Sequence, residues 1–248
     1  MSGHSKWANI KNKKAKTDAV RGRIFTKIGR ELAVAAKGGA DPLTNTKLAD
    51  VIAKAKANNL PNDNIARSIK KASGEFSNVN FEILTYEGYG PGGSAIIVET
   101  LTDNKNRTVG EVRHSFDKYN GALGNAGCVA FMFDTKGVIA IERSLTLTED
   151  YIMEIAIEAG ADDVAIDDDV FEIFTDVNQF SDVRKYLENK DIKFLEAEIQ
   201  MIPQNKVTLE GEDLSKFRVL FDKIDELDDV QNIYHNVDLP DEEDEEWV

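Results

Sequence analysis

Lysine, arginine and one tryptophan near the start of the chain are the residues whose types and spacing best suit a chemical role. Ten of them are candidate contacts to a polyanion: Lys6, Trp7, Lys11, Lys13, Lys14, Lys16, Arg21, Arg23, Lys27 and Arg30. Ammonium and guanidinium groups bind phosphate oxygens, and an indole ring stacks on a nucleobase or anchors a segment to a core. The cluster predicts a nucleic-acid contact, with a solvated charged surface as the alternative.

Charge is divided unevenly along the chain. Residues 1–78 hold 16 Lys and Arg against 6 Asp and Glu, whereas residues 79–248 hold 14 against 39. Phosphate groups respond to the local positive field rather than to the net charge of −15. An acidic protein can therefore bind DNA or RNA through a basic part.

A predicted helix positions several of these cations. From Asp18 to Ala36, apolar side chains recur at four-residue intervals, and Gly38-Gly39 ends the run. Four cations share another side of this helix: Arg23, Lys27, Arg30 and Lys37. They fall within an arc of about 80°, and we expect their charges to stay in water. The predicted result is one cationic ridge.

The periodicity changes from helical to strand-like near residue 79. Phe81–Tyr86 and Ser94–Thr102 are rich in β-branched and aromatic residues and predict a hairpin. We expect a helix from about Asn104 to Tyr119, capped by Thr102 or Asp103, and then a strand at Cys128–Phe133.

The next stretch predicts the order strand, helix, strand, strand, helix, strand, which is typical of a ferredoxin-like split βαβ sandwich. After this segment the sequence predicts a further strand, a helix and a strand. The hairpin region needs these elements, because its own three strands and one helix would leave one face of its sheet half covered. We therefore predict an α+β multidomain fold, with an N-terminal helical domain followed by two ferredoxin-like α/β sandwich domains, one inserted in the other. The predicted boundaries are 1–78 for the basic helical domain, 79–134 plus 204–240 for the discontinuous α/β domain, 135–203 for the insert and 241–248 for an acidic tail.

Two polar motifs have a structural and a functional interpretation. The run Gly88–Gly93 matches G-x-G-x-x-G, but a strand rather than a helix follows it, so a hairpin turn is favoured over a dinucleotide site. Asn104, Lys105 and Arg107 gather at a helix start. They serve as cap and surface charge, or make a secondary contact to nucleic acid or the ribosome.

Catalytic and metal-binding patterns are absent from the sequence. One cysteine, Cys128, cannot form an intrachain disulfide, and the histidines His4, His114 and His235 lack metal-ligand or triad spacing. Asp167–Asp169 lacks the alternating spacing of a calcium loop. We expect no enzyme activity, no metal and no cofactor.

No apolar run approaches the roughly 20 residues that span a bilayer. We expect a cytoplasmic protein without a membrane partner and take a monomer as the default. An organelle transit peptide is the alternative interpretation of the basic first 30 residues.

Seven ordered motifs resemble the YebC family: Gly3–Ile10, Arg21–Lys27, Leu60-Pro61, Tyr86–Gly93, Leu101–Arg107, Glu111–Arg113 and Met132-Phe133. The resemblance covers nearly the whole chain. It implies three domains and a probable transcriptional regulator, and relatives are also described as ribosome-associated translational activators. The chain departs from the family at Asn120–Gly124, where Gly-Gly-Asn-Leu-Gly is expected, and at Cys128, where serine is usual. Asparagine tolerates a positive φ, so we expect the turn to persist.

These observations predict a non-enzymatic, DNA-binding transcriptional regulator whose partner is nucleic acid. The alternative is a ribosome-associated translation factor that contacts ribosomal RNA. In both cases the acidic α/β domains would set orientation or recruit a protein partner. A protein-only adaptor would leave the basic part unexplained.

Overall fold

The computed structural model describes residues 18–73, 81–144 and 146–239. Six predicted contacts lie outside these ranges: Lys6, Trp7, Lys11, Lys13, Lys14 and Lys16. The predicted acidic tail, 241–248, also lies outside them.

The described residues form two compact units. The first unit contains residues 31–73, 135–144 and 146–201. The second contains residues 18–30, 81–134 and 202–239. Each unit therefore combines segments that are distant in sequence.

The described residues contain seven α-helices: α1 (Asp18–Ala36), α2 (Thr46–Ala57), α3 (Asn62–Ser73), α4 (Lys105–Lys118), α5 (Glu149–Ala159), α6 (Phe180–Asn189) and α7 (Gly211–Asp225). The prediction of a helix from Asp18 to Ala36 is confirmed. Its apolar stripe is also present, because Ile28, Leu32 and Ala36 follow one another at four-residue spacing and are all buried.

The described residues contain ten strands: β1 (Glu82–Tyr89), β2 (Ala95–Thr102), β3 (Ala122–Leu123), β4 (Phe133–Glu142), β5 (Asp163–Ile166), β6 (Val170–Thr175), β7 (Glu196–Pro203), β8 (Val207–Thr208), β9 (Val230–His235) and β10 (Val237–Asp238). Most of them belong to two four-stranded sheets. Strands β8 and β10 form a separate parallel pair. The α+β class is confirmed.

In the first unit the sheet has the order β5-β6-β4-β7, which is the strand order of a split βαβ sandwich. Strand β6 pairs antiparallel with both β4 and β5. The core joins sheet residues such as Ile139 and Phe171 to helix residues such as Ile152 and Leu187, all with no exposed surface. The predicted βαββαβ order is correct.

In the second unit the sheet has the order β3-β1-β2-β9. Strands β1 and β2 form the predicted hairpin, in which Tyr86 faces Val98. Strand β9, which follows the 135–201 segment in sequence, pairs antiparallel with β2, which precedes it. Phe116 of α4 and Phe217 of α7 pack in the same core. The second unit therefore also packs two helices, α4 and α7, against a four-stranded sheet. The order of its strands and helices along the chain differs from that of the first unit.

The first unit buries a charged lysine. Lys54 Nζ lies 3.0 Å from Glu31 Oε1 and 3.0 Å from Glu198 Oε2. Burial alone would lower the pKa of Lys54, but the two carboxylates raise the pKa above its usual value. The lysine therefore stays charged and links α2 to β7.

Candidate nucleic-acid interface

The described part of the predicted interface lies on α1. Arg21 is exposed and Arg23 is half-buried, and neither makes an ion pair with another described residue. Lys27 and Arg30 occupy the next two turns of the same helix. Arg21 and Arg23 are therefore the α1 cations whose charge remains available to a phosphate.

The expectation that Lys27 and Arg30 keep their charges in water is wrong. Their side chains are only 15% and 22% exposed, and each pairs with an aspartate at or just after the end of α7. Lys27 Nζ donates to Asp225 Oδ1 at 3.1 Å and to the Asp225 carbonyl oxygen at 3.3 Å. The predicted ridge is therefore divided, because Lys27 and Arg30 are paired internally whereas Arg23 makes no ion pair with another described residue.

Arg30 reaches the loop between α7 and β9. Its Nη1 donates to the Asp228 carbonyl oxygen at 2.6 Å and to Asp229 Oδ1 at 2.9 Å. The guanidinium carbon also lies 5.9 Å from the ring centroid of Phe81, within the range of a cation–π contact. These contacts fix the arginine within the second unit.

Asp229 is the centre of this arrangement. Its side chain is only 3% exposed. The Arg107 guanidinium donates to Asp229 Oδ2 from Nη2 at 2.7 Å and from Nε at 3.3 Å. The hydroxyls of Thr102 and Thr108 donate to the same oxygen at 3.0 Å and 2.7 Å. The carboxylate thus joins α1, β2 and α4 around one buried negative charge.

The hydrogen bonds decide the ionisation state of Asp229. Burial alone would raise the pKa of this carboxyl, but bonds from Arg107, Thr108 and Thr102 hold the pKa below its usual value. The group is therefore ionised at neutral pH and neutralises charge that two arginines would otherwise present to solvent.

The predicted secondary contact residues lie in the same unit, and of the three Arg107 is the one that bonds Asp229. Asn104 is the N-cap of α4, since its Oδ1 accepts from the Arg107 amide at 3.1 Å. The Arg107 side chain is 43% exposed, and its guanidinium also bonds Asp103. Lys105 lies 3.9 Å from a Glu82 carboxylate oxygen, and both side chains are exposed, so this pair contributes little stability. The capping interpretation of Asn104 is correct.

The glycine-rich segment after α4 is held by a buried carboxylate. Glu87 accepts backbone N–H bonds from Gly127 at 2.7 Å, Val129 at 2.9 Å and Ala130 at 2.8 Å. Burial alone would raise the pKa of Glu87, but these three bonds lower it. Asn120 adopts a φ of 61°, so the expectation that asparagine supports this turn is confirmed.

The Gly88–Gly93 segment covers the end of β1 and the turn of the β1–β2 hairpin. A short 3₁₀ turn, Pro91–Gly93, leads directly into β2, and no helix N-terminus follows it to receive a pyrophosphate. Gly92 has a φ of 64°, and a Cβ there would collide with Leu209. The glycines therefore serve backbone conformation and close packing.

The histidines described do not come together. His114 is exposed on α4, whereas His235 lies edge-on to the rings of Phe217 and Phe221. Burial lowers the pKa of His235 to about 4. Among the described residues no group of three His, Cys, Asp or Glu side chains is arranged to hold a metal ion.

No helix within the described ranges has both the length and the apolar character needed to cross a membrane.

Asp225 and Asp229 are the residues that sequence reasoning missed. Both lie in an acidic stretch that resembles a solvated turn, and their cationic partners are up to 199 residues away. The one local signal for Asp229 is its position directly before a strand. No known motif links that position to a functional role.

Comparison with known proteins shows matches over nearly the whole chain. Residues 5–75 match the family model described as the TACO1/YebC protein N-terminal domain, and residues 81–237 match the TACO1/YebC second and third domain. A probable transcriptional regulatory protein of Thermoanaerobacter pseudethanolicus is 56% identical over 99% of this chain and 100% of its own length. One from Acetivibrio thermocellus is 58% identical, with 95% and 98% covered.

A solved structure also resembles this one. The crystal structure of a conserved hypothetical protein from Aquifex aeolicus superposes with a TM-score of 0.83 at 40% identity. The similarity covers 94% of this chain and 96% of the other.

Proposed function

Because the chain belongs to the TACO1/YebC family, we propose that it is a non-enzymatic regulator that binds nucleic acid through its basic N-terminal residues. The relatives are named probable transcriptional regulatory proteins, which supports a regulatory role. Duplex DNA in the cytoplasm is the first candidate target. The proposal rests mainly on Arg21 and Arg23, which follow the lysine-rich run 11–16 and make no ion pair with another described residue.

The division of the α1 cations supports contacts to the phosphate backbone rather than to base edges. Asp225 and Asp229 fix Lys27 and Arg30, so those cations position the helix instead of reaching outward. Arg21 and Arg23 lie in the first turns of α1, and in sequence they follow the lysine-rich run 11–16. Such cations neutralise several phosphates along a nucleic-acid strand. Contacts of this kind do not distinguish one base sequence from another.

A ribosome-associated translational activator that contacts ribosomal RNA is the second candidate. Residues 79–248 carry 39 acids against 14 cations, and this part of the chain is repelled by bare DNA. A ribosome presents basic proteins beside its RNA, so the same molecule can make both kinds of contact there. This charge balance is the observation that supports the ribosomal candidate.

A binding measurement with matched variants tests the proposal. We expect the full chain to bind a DNA duplex or a ribosomal RNA fragment, and K13Q/K14Q/R21Q/R23Q to weaken that binding at least about tenfold. The control K185Q/K193Q removes two exposed lysines from the acidic part and should leave affinity unchanged. Equal affinity of the quadruple variant and the wild type for both probes would exclude the proposed interface.

Sedimentation of cell lysate through sucrose distinguishes the two targets. A ribosome-bound factor should move with the ribosomal fractions and leave them after ribonuclease treatment. A DNA-binding regulator should stay out of those fractions with or without the nuclease.

A further inference from the structure

The outer face of helix α5 exposes two large apolar side chains. Ile157 is 71% exposed and Met153 is 44% exposed, and they lie four residues apart on the same face. The inner face is complete without them, since Ile152, Ile155 and Ala156 are buried in the core of the first unit. Folding therefore does not account for apolar residues at positions 153 and 157.

Acidic groups surround this apolar pair. Helix α5 carries four acids and no lysine or arginine. Glu149 pairs with Arg143, and Glu158 lies 3.8 Å from Lys190 Nζ, so these two charges are compensated. Asp150 and Glu154 are exposed and make no ion pair with another described residue.

We propose that the α5 face formed by Asp150, Met153, Glu154 and Ile157 docks a segment of another protein that carries lysine or arginine around two or more apolar side chains. The apolar groups of that segment cover Met153 and Ile157, and its cations pair with Asp150 and Glu154. Side chains at four-residue spacing are the arrangement by which a helix presents anchors to a partner.

Charge complementarity selects this occupant over the others. Nucleic acid is repelled by Asp150 and Glu154, because phosphate has the same sign. A second copy docked through its own α5 face would bring two acidic faces together, which is also unfavourable. A basic, apolar protein segment gains from both the burial of apolar surface and the ion pairs. The inference goes beyond the proposed nucleic-acid contact and uses different residues.

The test uses the full-length protein and a synthetic helical peptide of about 16 residues, composed of leucine, lysine and alanine, as the probe. At about 150 mM salt, NMR should show that peptide binding shifts the backbone amides of Glu149–Ala159. M153S/I157S should bind the peptide at least about tenfold more weakly. D150N/E154Q should also weaken binding and reduce its dependence on salt.

Three controls make the result decisive. V219S replaces an exposed valine of α7, 43% exposed, and should leave peptide affinity unchanged. All variants should unfold at the wild-type midpoint, because the substituted side chains are exposed. M153S/I157S should retain its affinity for nucleic acid, which separates this inference from the function proposed above.

The proposal is overturned if the wild type does not bind the peptide, or if M153S/I157S binds it as tightly as the wild type. Equal affinity for a peptide with serine in place of every leucine would also overturn it, because binding would then be unspecific charge attraction. Amide shifts centred outside α5 would assign the contact to another surface.

Discussion

Replacing Asp229 by asparagine should destabilise the second unit more than any other single charge removal in it. The carboxylate is 3% exposed and accepts from Arg30, Arg107, Thr102 and Thr108 at 2.7–3.3 Å. Asparagine has nearly the same shape, but it loses the negative charge and presents an NH₂ group to donors. Two arginines then lose their shared counter-charge.

The expected cost follows from the burial of each partner. Removing one side of a buried ion pair costs about 3–5 kcal/mol, because the remaining charge is left unpaired. Here Arg30 is 22% exposed and Arg107 is 43% exposed, so water can solvate part of each guanidinium. We therefore expect D229N to lower the free energy of unfolding by about 2–4 kcal/mol.

Urea unfolding and amide hydrogen exchange measure this effect. The Leu101 amide, which donates to the Asp229 carbonyl oxygen, should exchange faster in D229N. The matched control is D228N, because Asp228 is exposed and only its carbonyl oxygen contacts Arg30. D228N should stay within about 0.5 kcal/mol of the wild type. Equal stability of D229N and D228N would refute the account of Asp229.

Acid should reduce the difference between wild type and D229N. The pKa of Asp229 is lowered in the folded state, so its ionised form contributes stability above the ordinary aspartate pKa of about 4. That contribution is lost as the pH falls from about 4 through the lower folded value. A wild-type advantage that stays constant across this range would show that the charge of Asp229 is not its source.

Three other predictions concern local features. E87Q should speed hydrogen exchange of the amides in the 127–130 loop and cost about 1–3 kcal/mol, and unchanged exchange would show that the carboxylate does not hold the loop. NMR titration of His235 should give a pKa near 4, with stability falling as the pH drops from about 6.5 towards that value; a normal midpoint would contradict its burial. G137A should lower the free energy of unfolding by about 1–3 kcal/mol, because a Cβ at this position collides with neighbouring side chains. G110A in α4 should raise it by about 0.5–1 kcal/mol, because a Cβ there has no neighbouring atom within 4 Å and alanine favours the helix. Equal effects of the two substitutions would contradict the packing at Gly137.

Local periodicity predicted the elements whose burial follows a repeating pattern. Helix α1 has the expected bounds, and the insert has the expected βαββαβ order. In these segments the inward-facing positions recur with the period of the element, so neighbouring residues carry the information.

Long-range contacts explain where sequence reasoning failed. The predicted strand Cys128–Phe133 is wrong, because β4 begins at Phe133 and a 3₁₀ turn precedes it. The amides of Val129 and Ala130 donate to the Glu87 carboxylate instead of a neighbouring strand. Thr102 or Asp103 was expected to cap α4, but Asn104 is the cap. The Thr102 hydroxyl donates to Asp229, and the Asp103 carboxylate accepts from Arg107.

The sequence predicted the positions of the α1 cations but not their ion pairs, because the ion pairs are long-range contacts. Helical spacing located Arg23, Lys27 and Arg30 on one helix. It could not show that two of them pair with aspartates 198 and 199 residues away. Charge pairing of this kind depends on the tertiary fold, and a local pattern does not record it.

The salt dependence of nucleic-acid affinity tests the central claim, that the basic N-terminal residues bind a phosphate backbone. If about six phosphates are contacted, the logarithm of the association constant should fall with the logarithm of salt concentration at a slope of about −5. In K13Q/K14Q/R21Q/R23Q the slope should become shallower by about two to four units. A flat response of the wild type on both DNA and ribosomal RNA, or an unchanged slope in the variant, would contradict it.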